Sequence, residues 1–440
     1  MRKTLLAVIA VVVIVGAGIA ALVWRPAIDR VNRPAAGSFD AALIKRGGEL
    51  AAIGNCRSCH TAPGGREFAG GLGVPTPFGT IYSTNITPDE KTGIGAWSEA
   101  AFRRALREGV DRGGRHLYPA FPYDHFTLAS DDTIKALYAF VMTREPVAAT
   151  APANTVPFPL NLRPLLAGWK LLFLRKGPFE KDPGQSEEWN RGAYLVNGLG
   201  HCGACHTPRN FLGAENKHQA FAGGETEGWT AYALDAASPA PVAWDKAALA
   251  FYLRNGWQGD HGVARGPMSE VTDNLAAVPM ADVQAIATYM ASVAGPHRAS
   301  NTPSPRRERQ GAGGPGAAIY AAACATCHDA GRAPPYGGID LSLSTGPSGP
   351  TARNAINVIL GGLPAEDEQR RPIMPGFAGV LNDRQMADLL AYVRARFSDK
   401  PPWTDVEKQI RDARTEQSRV HPGPAPEPAR GSPGEKEARQ

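Results

Sequence analysis

Cys56-Arg57-Ser58-Cys59-His60, Cys202-Gly203-Ala204-Cys205-His206 and Cys324-Ala325-Thr326-Cys327-His328 are one five-residue motif written three times, and together they use all six cysteines of the 440-residue chain. No cysteine is left for a disulfide framework or a lone nucleophile. Each copy comes after a stretch whose apolar residues fall on one helical face: Ile44 to Gly54, Gly192 to Gly200 and Ala317 to Ala323. The first two copies share a middle element. Gly95-Ala96-Trp97-Ser98 leads into Phe102 to Leu106, and Val242-Ala243-Trp244-Asp245 leads into Leu249 to Leu253, while the third keeps a shorter version, Ala355 to Leu360. All three close on an acidic residue and an amphipathic helix carrying a tyrosine: Asp131-Asp132 before Ile134 to Met142, Asp282 before Ile286 to Met290, and Asp383 before Met386 to Val393, with Tyr138, Tyr289 and Tyr392. Capping by Asp is expected to start these helices.

A fixed unit repeated along a chain is the strongest organising signal a sequence offers. It predicts a mostly α protein with domains at 38–150, 181–297 and 314–400, joined by a Pro-containing connector with an apolar run, Pro157 to Phe173, and a polar one, Thr302 to Gly316. The length alone, at roughly 100–200 residues per domain, allows two to four domains. Gly and Pro, 49 and 38 residues, make up about a fifth of the chain, so long loops separate modest helices. Residues 401–440 end in alternating Pro, Gly and charge and are expected to be disordered. Net charge is +5 with the basic residues dispersed, which gives nucleic-acid binding little support.

After Arg2 and Lys3 runs an uninterrupted apolar stretch from Thr4 to Trp24. As a helix rising about 1.5 Å per residue it spans about 31 Å, enough for a bilayer. Residues 1–24 are therefore expected to be a transmembrane anchor, with a cleaved signal peptide as the alternative. The two leading positive charges keep the N-terminus cytoplasmic, and either reading exports the rest of the chain, to the periplasmic side of the inner membrane in a bacterium.

Two thiols three positions apart, with an imidazole immediately after them, suit covalent haem: the cysteines form thioethers and the histidine reaches the iron. A structural zinc site would need two further ligands at matching spacing in every unit, and none comes after His60, His206 or His328. Thioredoxin-like redox work has no use for the histidine three times. Three covalently bound haem c groups are therefore expected, on Cys56, Cys59, His60, Cys202, Cys205, His206, Cys324, Cys327 and His328. Counting along the repeats gives the sixth ligands Met268, in Gly266-Pro267-Met268, and Met374, in Pro372-Ile373-Met374-Pro375, both in Pro-bearing loops. Met142, Met290, Met386 and Met280 read as packing residues. In the first unit the same count lands on Phe121, which cannot bind iron. His125 is the favoured substitute, ahead of Met142 and His116, with a five-coordinate iron left open. His201, His218, His261, His297 and His421 have no repeat partner and read as solvated. Trp97 and Trp244 read as core. Arg103, Arg104 and Arg107 read as an exposed helix face.

On Tyr82-Ser83-Thr84-Asn85-Ile86-Thr87-Pro88-Asp89, Thr92-Gly93-Ile94-Gly95-Ala96-Trp97, Leu117-Tyr118-Pro119-Ala120 and the triple motif, the chain resembles the triheme cytochrome c subunits of periplasmic membrane-bound dehydrogenases over about 38–400. These include the cytochrome subunits of quinoprotein alcohol dehydrogenase, of flavin-linked gluconate and sorbitol dehydrogenases, and of molybdenum hydroxylases. The resemblance implies three tandem class I-like cytochrome c domains and the axial pairs His206 with Met268 and His328 with Met374; many relatives carry Met where Phe121 stands here. It also implies a partner, a separate catalytic subunit of molybdenum hydroxylase, quinoprotein or flavoprotein type, and an acceptor, ubiquinone or a terminal oxidase. The molybdenum hydroxylase partner is mildly favoured. The chain itself has no Rossmann or P-loop motif and no nucleophile elbow. The competing expectation is a haem enzyme, peroxidase-like or a small-molecule reductase, with an open iron at the first site.

Overall fold

The structure, a computed structural model, describes residues 2–295, 313–332, 334, 337–364 and 372–420, with some side chains of the first helix and those of 417–420 outside the description. His297, His421 and residues 302–312 of the second connector lie outside the described residues, and Pro315 and Gly316 at its end already belong to a helix. The chain divides into two compact units, Met1–Pro303 with Leu343–Thr345, and Ser304–Ser342 with Gly346–Gln440. The first two motif copies thus share one unit, because their cores merge. Leu50, Ile134 and Leu137 from the first stretch and Leu195, Leu199, Leu253 and Ile286 from the second belong to one buried cluster. The fold is mostly helical. Its sheets, among the described residues, are three two-stranded antiparallel hairpins: Gly73–Thr76 with Gly79–Tyr82, Gly224–Thr226 with Trp229–Ala231, and Trp257–Gln258 with Gly262–Val263.

Each copy is framed by an opening helix crossing a closing one: Ala41–Ile53 with Asp131–Met142, Glu187–Tyr194 with Met280–Ala294, and Pro315–Ala323 with Asp383–Phe397. One glycine makes each crossing. A Cβ at Gly47, Gly192 or Gly316 would lie 2.0, 1.9 or 2.1 Å from the carbonyl oxygen of Ala136, Ala285 or Asp388, and four residues beyond each of these carbonyls stands an aromatic residue, Phe140, Tyr289 or Tyr392. The missing side chain lets backbone meet backbone. Nine positions separate Gly47 from Cys56 and ten separate Gly192 from Cys202. The extra residue is absorbed in a single wide π turn over Leu195–Leu199.

The expected Asp caps are corrected. Ser130 caps the first closing helix by accepting from Thr133 N, Asn382 caps the third in a reciprocal capping box with Gln385, and the second starts after Pro279 with no side-chain cap. The aspartates lie within the first turn, where the helix dipole favours them. The expected disorder from 401 is corrected for its first half. Val406–Val420 is a helix whose Val406, Ile410 and Ala413, at helical spacing, put Ile410 and Ala413 into the core of the second unit; residues 421–440 lie outside the described residues. At the other end Arg2–Val23 forms a 22-residue helix. Among the described residues no helix is long and apolar enough to cross a membrane, and part of this helix's apolar side chains is outside the description.

Candidate functional site

The three motifs sit on single helical turns, Cys56–Cys59, Gly203–His206 and Ala325–His328, placed just after the opening helices. In the first two copies the chain re-aims through a left-handed residue just before the first cysteine, Asn55 at φ 51° and His201 at φ 37°. All six thiols are unpaired. Burial pushes Cys56 and Cys202 up to about 12 and Cys59 to about 11. A redox-active pair needs the opposite shift, so thiol–disulfide chemistry finds no support in these two copies.

The histidines repeat one geometry. Nδ1 of His60 lies 2.6 Å from the carbonyl of Thr84, Nδ1 of His206 2.8 Å from that of Tyr232, and Nδ1 of His328 2.9 Å from that of Ile339. A carbonyl can only accept, so Nδ1 carries the proton and Nε2 keeps its lone pair for a metal. Burial also lowers the pKa of His60 and His206, favouring the neutral, ligating ring. Two free thiols on one turn beside an imidazole with an open Nε2 fit a covalently attached haem, three times over.

After the middle helix the first two copies again match in their bonding. Leu117 N donates to Gly109 O and Ala264 N to Gly256 O, both at 2.8 Å, each glycine closing a middle helix in the left-handed conformation. Four residues on from these donors stand Phe121 and Met268. Met268 lies in the first turn of the helix Pro267–Ala276 rather than in the expected loop, and like Cys56 and Cys202 it is partly buried against the shared core. Phe121 packs against the same cluster, its ring edge-on to Phe126 with centroids 5.3 Å apart. Met374 is partly buried and held in an antiparallel bridge to Leu363, with N···O distances of 2.7 and 2.9 Å.

His125, expected beside the first iron, has both ring nitrogens engaged elsewhere. Nδ1 bonds the carbonyl of Asn197, 2.7 Å away in the π turn, and Nε2 meets Glu215 Oε1 at 2.5 Å. Burial disfavours the charged ring, but the hydrogen bond and charge of Glu215, with Asp124, outweigh it and raise the His125 pKa. Burial likewise opposes the Glu215 carboxylate, yet His125 holds it below its ordinary value. In this geometry His125 is a buried ionic strut from the first copy to the second. His116 is engaged too, Nε2 with Val23 O at 2.8 Å and Nδ1 with Lys170 Nζ at 3.0 Å. Met142 is a fully buried core residue beside Ile94, Tyr138 and Val141.

Two histidines expected in solvent are corrected. His261 is buried and stacked on Trp244 at 3.5 Å, and burial lowers the His201 pKa to about 4 as the ring sits between Phe126 and His125. The arginines expected on an exposed face are partly buried: Arg104 donates to the carbonyls of Pro26, Asp111 and Arg112, and Arg107 to that of Ala129. Glu215, Asn197 and Lys170 carry no motif and could not be found by spacing, because their partners lie 54 to 90 positions away.

A family model for cytochrome c matches residues 314–396. Over nearly the whole chain there is similarity to a nicotinate dehydrogenase subunit of Pseudomonas putida, 46% identical across 92% of this chain. The chain spans about a third of that protein, 34% of its length. The fructose dehydrogenase cytochrome subunit of Gluconobacter japonicus is 34% identical, with 91% of this chain and 87% of that protein covered. The gluconate 2-dehydrogenase cytochrome c subunit of Pantoea cypripedii is 36% identical, with 87% and 92% covered.

Proposed function

Because the chain belongs to the cytochrome c subunits of membrane-bound dehydrogenases, we propose that it is a membrane-anchored carrier of three haem c groups, relaying electrons from a separate periplasmic dehydrogenase to ubiquinone or a terminal oxidase. At the coarser level it is a haem c-binding electron-transfer subunit of a dehydrogenase complex, and the catalytic subunit is another chain. The observation that carries the count of three is the repeated histidine geometry, Nδ1 tied to the carbonyls of Thr84, Tyr232 and Ile339 with two unpaired thiols beside each ring.

Bound haem supplies one-electron exchange at its iron. The chain's own residues do the rest. Cys56 and Cys59, Cys202 and Cys205, and Cys324 and Cys327 hold the group covalently, while the three histidines offer Nε2. The carbonyl behind each ring fixes its orientation and increases its basicity. Met268 and Met374 are proposed as thioether ligands, which raise reduction potential; Phe121 offers none at the first site. The first two attachment peptides touch: a Cβ at Gly54 would lie 3.3 Å from Leu199 and 3.4 Å from Cys56 Sγ, and His201 Nε2 lies 3.4 Å from Gly54 O.

Helix Arg2–Val23 and the unbroken apolar sequence from Thr4 to Trp24 support the anchor. The 46% identity to the nicotinate dehydrogenase subunit supports a catalytic partner of the nicotinate dehydrogenase kind, and the molybdenum hydroxylase type remains the favoured one on resemblance alone. Haem quantification after denaturation and solvent extraction tests the count. Three equivalents retained per chain, falling to two in a Cys202→Ala/Cys205→Ala variant, are expected; fewer than three in the parent overturns the reading.

A further inference from the structure

The helix Leu165–Phe173 in the connector is built inside out. Its one charged side chain, Lys170, is buried, while Leu165, Leu171 and Leu172 are exposed, Leu171 at 63%. At 100° per residue Leu166, Ala167 and Lys170 share the inner face, and Leu165, Gly168 and Leu172 the outer one. A helix facing water places its polar residues outward. The inward turn of Lys170 is fully satisfied: Nζ donates to Glu108 O at 2.8 Å and Gly109 O at 2.5 Å, and meets His116 Nδ1 at 3.0 Å. The chain just before the helix extends the apolar surface with Phe158, 77% exposed, and with Leu160 and Leu162. A loop of the second copy adds Phe211, 86% exposed, brought alongside by the hydrogen bond from Trp169 Nε1 to Leu212 O at 3.0 Å.

We propose that this face lies in the lipid–water interface of the membrane that the N-terminal helix enters, as a second and peripheral contact; this rests on the proposed anchor. Continuity identifies the occupant. The ring of His116 that receives Lys170 also bonds, through Nε2, the carbonyl of Val23 in the last turn of the N-terminal helix. A line of hydrogen bonds thus runs from the end of the anchor to the inner side of the leucine face, and the two helices lie in contact. At the junction Trp24 is 70% exposed with Arg25 next to it, and Arg175 and Lys176 stand on the C-terminal side of the connector helix. Aromatic and cationic residues bordering an apolar face are what a headgroup layer accommodates.

The full chain, loaded with cofactor and expressed without a catalytic subunit, leaves no native cysteine free. A nitroxide at Leu172→Cys or Val13→Cys is then a single label, read in phosphatidylethanolamine–phosphatidylglycerol vesicles by relaxation with oxygen and with a water-soluble nickel chelate. Both labels are expected to lose most of their nickel accessibility and keep their oxygen accessibility. A label at 172 open to nickel while that at 13 is shielded overturns the second contact and leaves the anchor. A label at 13 open to nickel overturns the anchor and this inference with it. Shielding at 172 that arises only when the catalytic subunit is added assigns the face to a protein partner and overturns the lipid assignment.

Discussion

The first and second motif copies are alike around the histidine and differ at one residue that follows the middle helix. Both have a glycine-made helix crossing, a ring tied through Nδ1 to a backbone carbonyl, and a hairpin register that delivers one residue at the same place. That residue is Met268 in one and Phe121 in the other. Four residues further on the difference continues: Thr272 bonds its own helix through Ser269 O, whereas His125 reaches across to Glu215. Under the proposed covalent attachment this divergence would be tolerable, since two thioethers and one imidazole would retain the cofactor whatever faces it. On that proposal, Met268 and Phe121 are where two copies of one unit would take on different reduction potentials.

Exchanging the two residues is the strongest way to break that comparison. Met268→Phe is expected to lower the potential of one centre on the order of 0.1–0.3 V, a part of the ~0.8 V range that axial ligands span. Phe121→Met is expected to raise another. Spectroelectrochemical titration of each variant checks this, and unchanged potentials in Met268→Phe remove Met268 from the ligand set.

The strut between the two copies comes next. The side chains of His125 and Glu215 are only 10% and 7% exposed, so Glu215→Leu strands a buried charge and is expected to cost about 3–5 kcal/mol. The pH dependence has two arms. His125 is raised above 6.5, so its contribution is whole below 6.5 and is lost as pH climbs through the raised value. Glu215 is depressed below 4.5, so its contribution is whole above 4.5 and is lost as pH falls through the lowered value. The gap in melting temperature between parent and variant is expected to be widest between pH 4.5 and 6.5. A gap independent of pH would mean that packing, not charge, holds the strut.

The shared half of the comparison can be sharpened with Gly47→Ala and Gly192→Ala. Alanine is the better helix former by about 1 kcal/mol, so without a close contact both variants would gain. With carbonyl oxygens 2.0 and 1.9 Å from the new methyl, both are expected to lose about 1–3 kcal/mol in denaturant unfolding. Similar losses show that the two crossings are the same joint, and a gain at either shows that it is not.

How much of the fold and site is legible in the sequence depends on the range of the interactions. The three motifs, the helices around them and the place of Met268 against Phe121 are set by spacing along the chain, and spacing is what repeats expose. His125 escapes such a reading because its partners, Asn197 and Glu215, are 72 and 90 positions away and have no counterpart in the other copies. His261 escapes it because stacking on Trp244 leaves no trace in local pattern. The helix Val406–Val420 is hidden by the Pro-rich composition after it, although Val406, Ile410 and Ala413 already carry its period. The inverted helix at 165–173 reads only as an apolar run, since burial of Lys170 depends on carbonyls of Glu108 and Gly109, far away in sequence.

The smallest expected effects lie at the starts of the first two closing helices. Ser130 Oγ accepts from Thr133 N at 3.2 Å, and Ser130 N donates to the hydroxyl of Tyr194 in the second copy. Ser130→Ala is expected to cost about 1 kcal/mol, the usual worth of such a cap. The second closing helix begins after Pro279, at φ −55° and ψ 135°, a conformation a serine adopts without strain. Pro279→Ser would add a cap worth about 1 kcal/mol and give up about 0.4–1 kcal/mol of rigidity in the unfolded chain, so the expected net change is near zero. Thermal unfolding of both variants separates the two accounts. If Pro279→Ser stabilised by as much as Ser130→Ala destabilised, the proline would be contributing nothing, and the uncapped start would be a simple loss in the second copy rather than a different solution to the same problem.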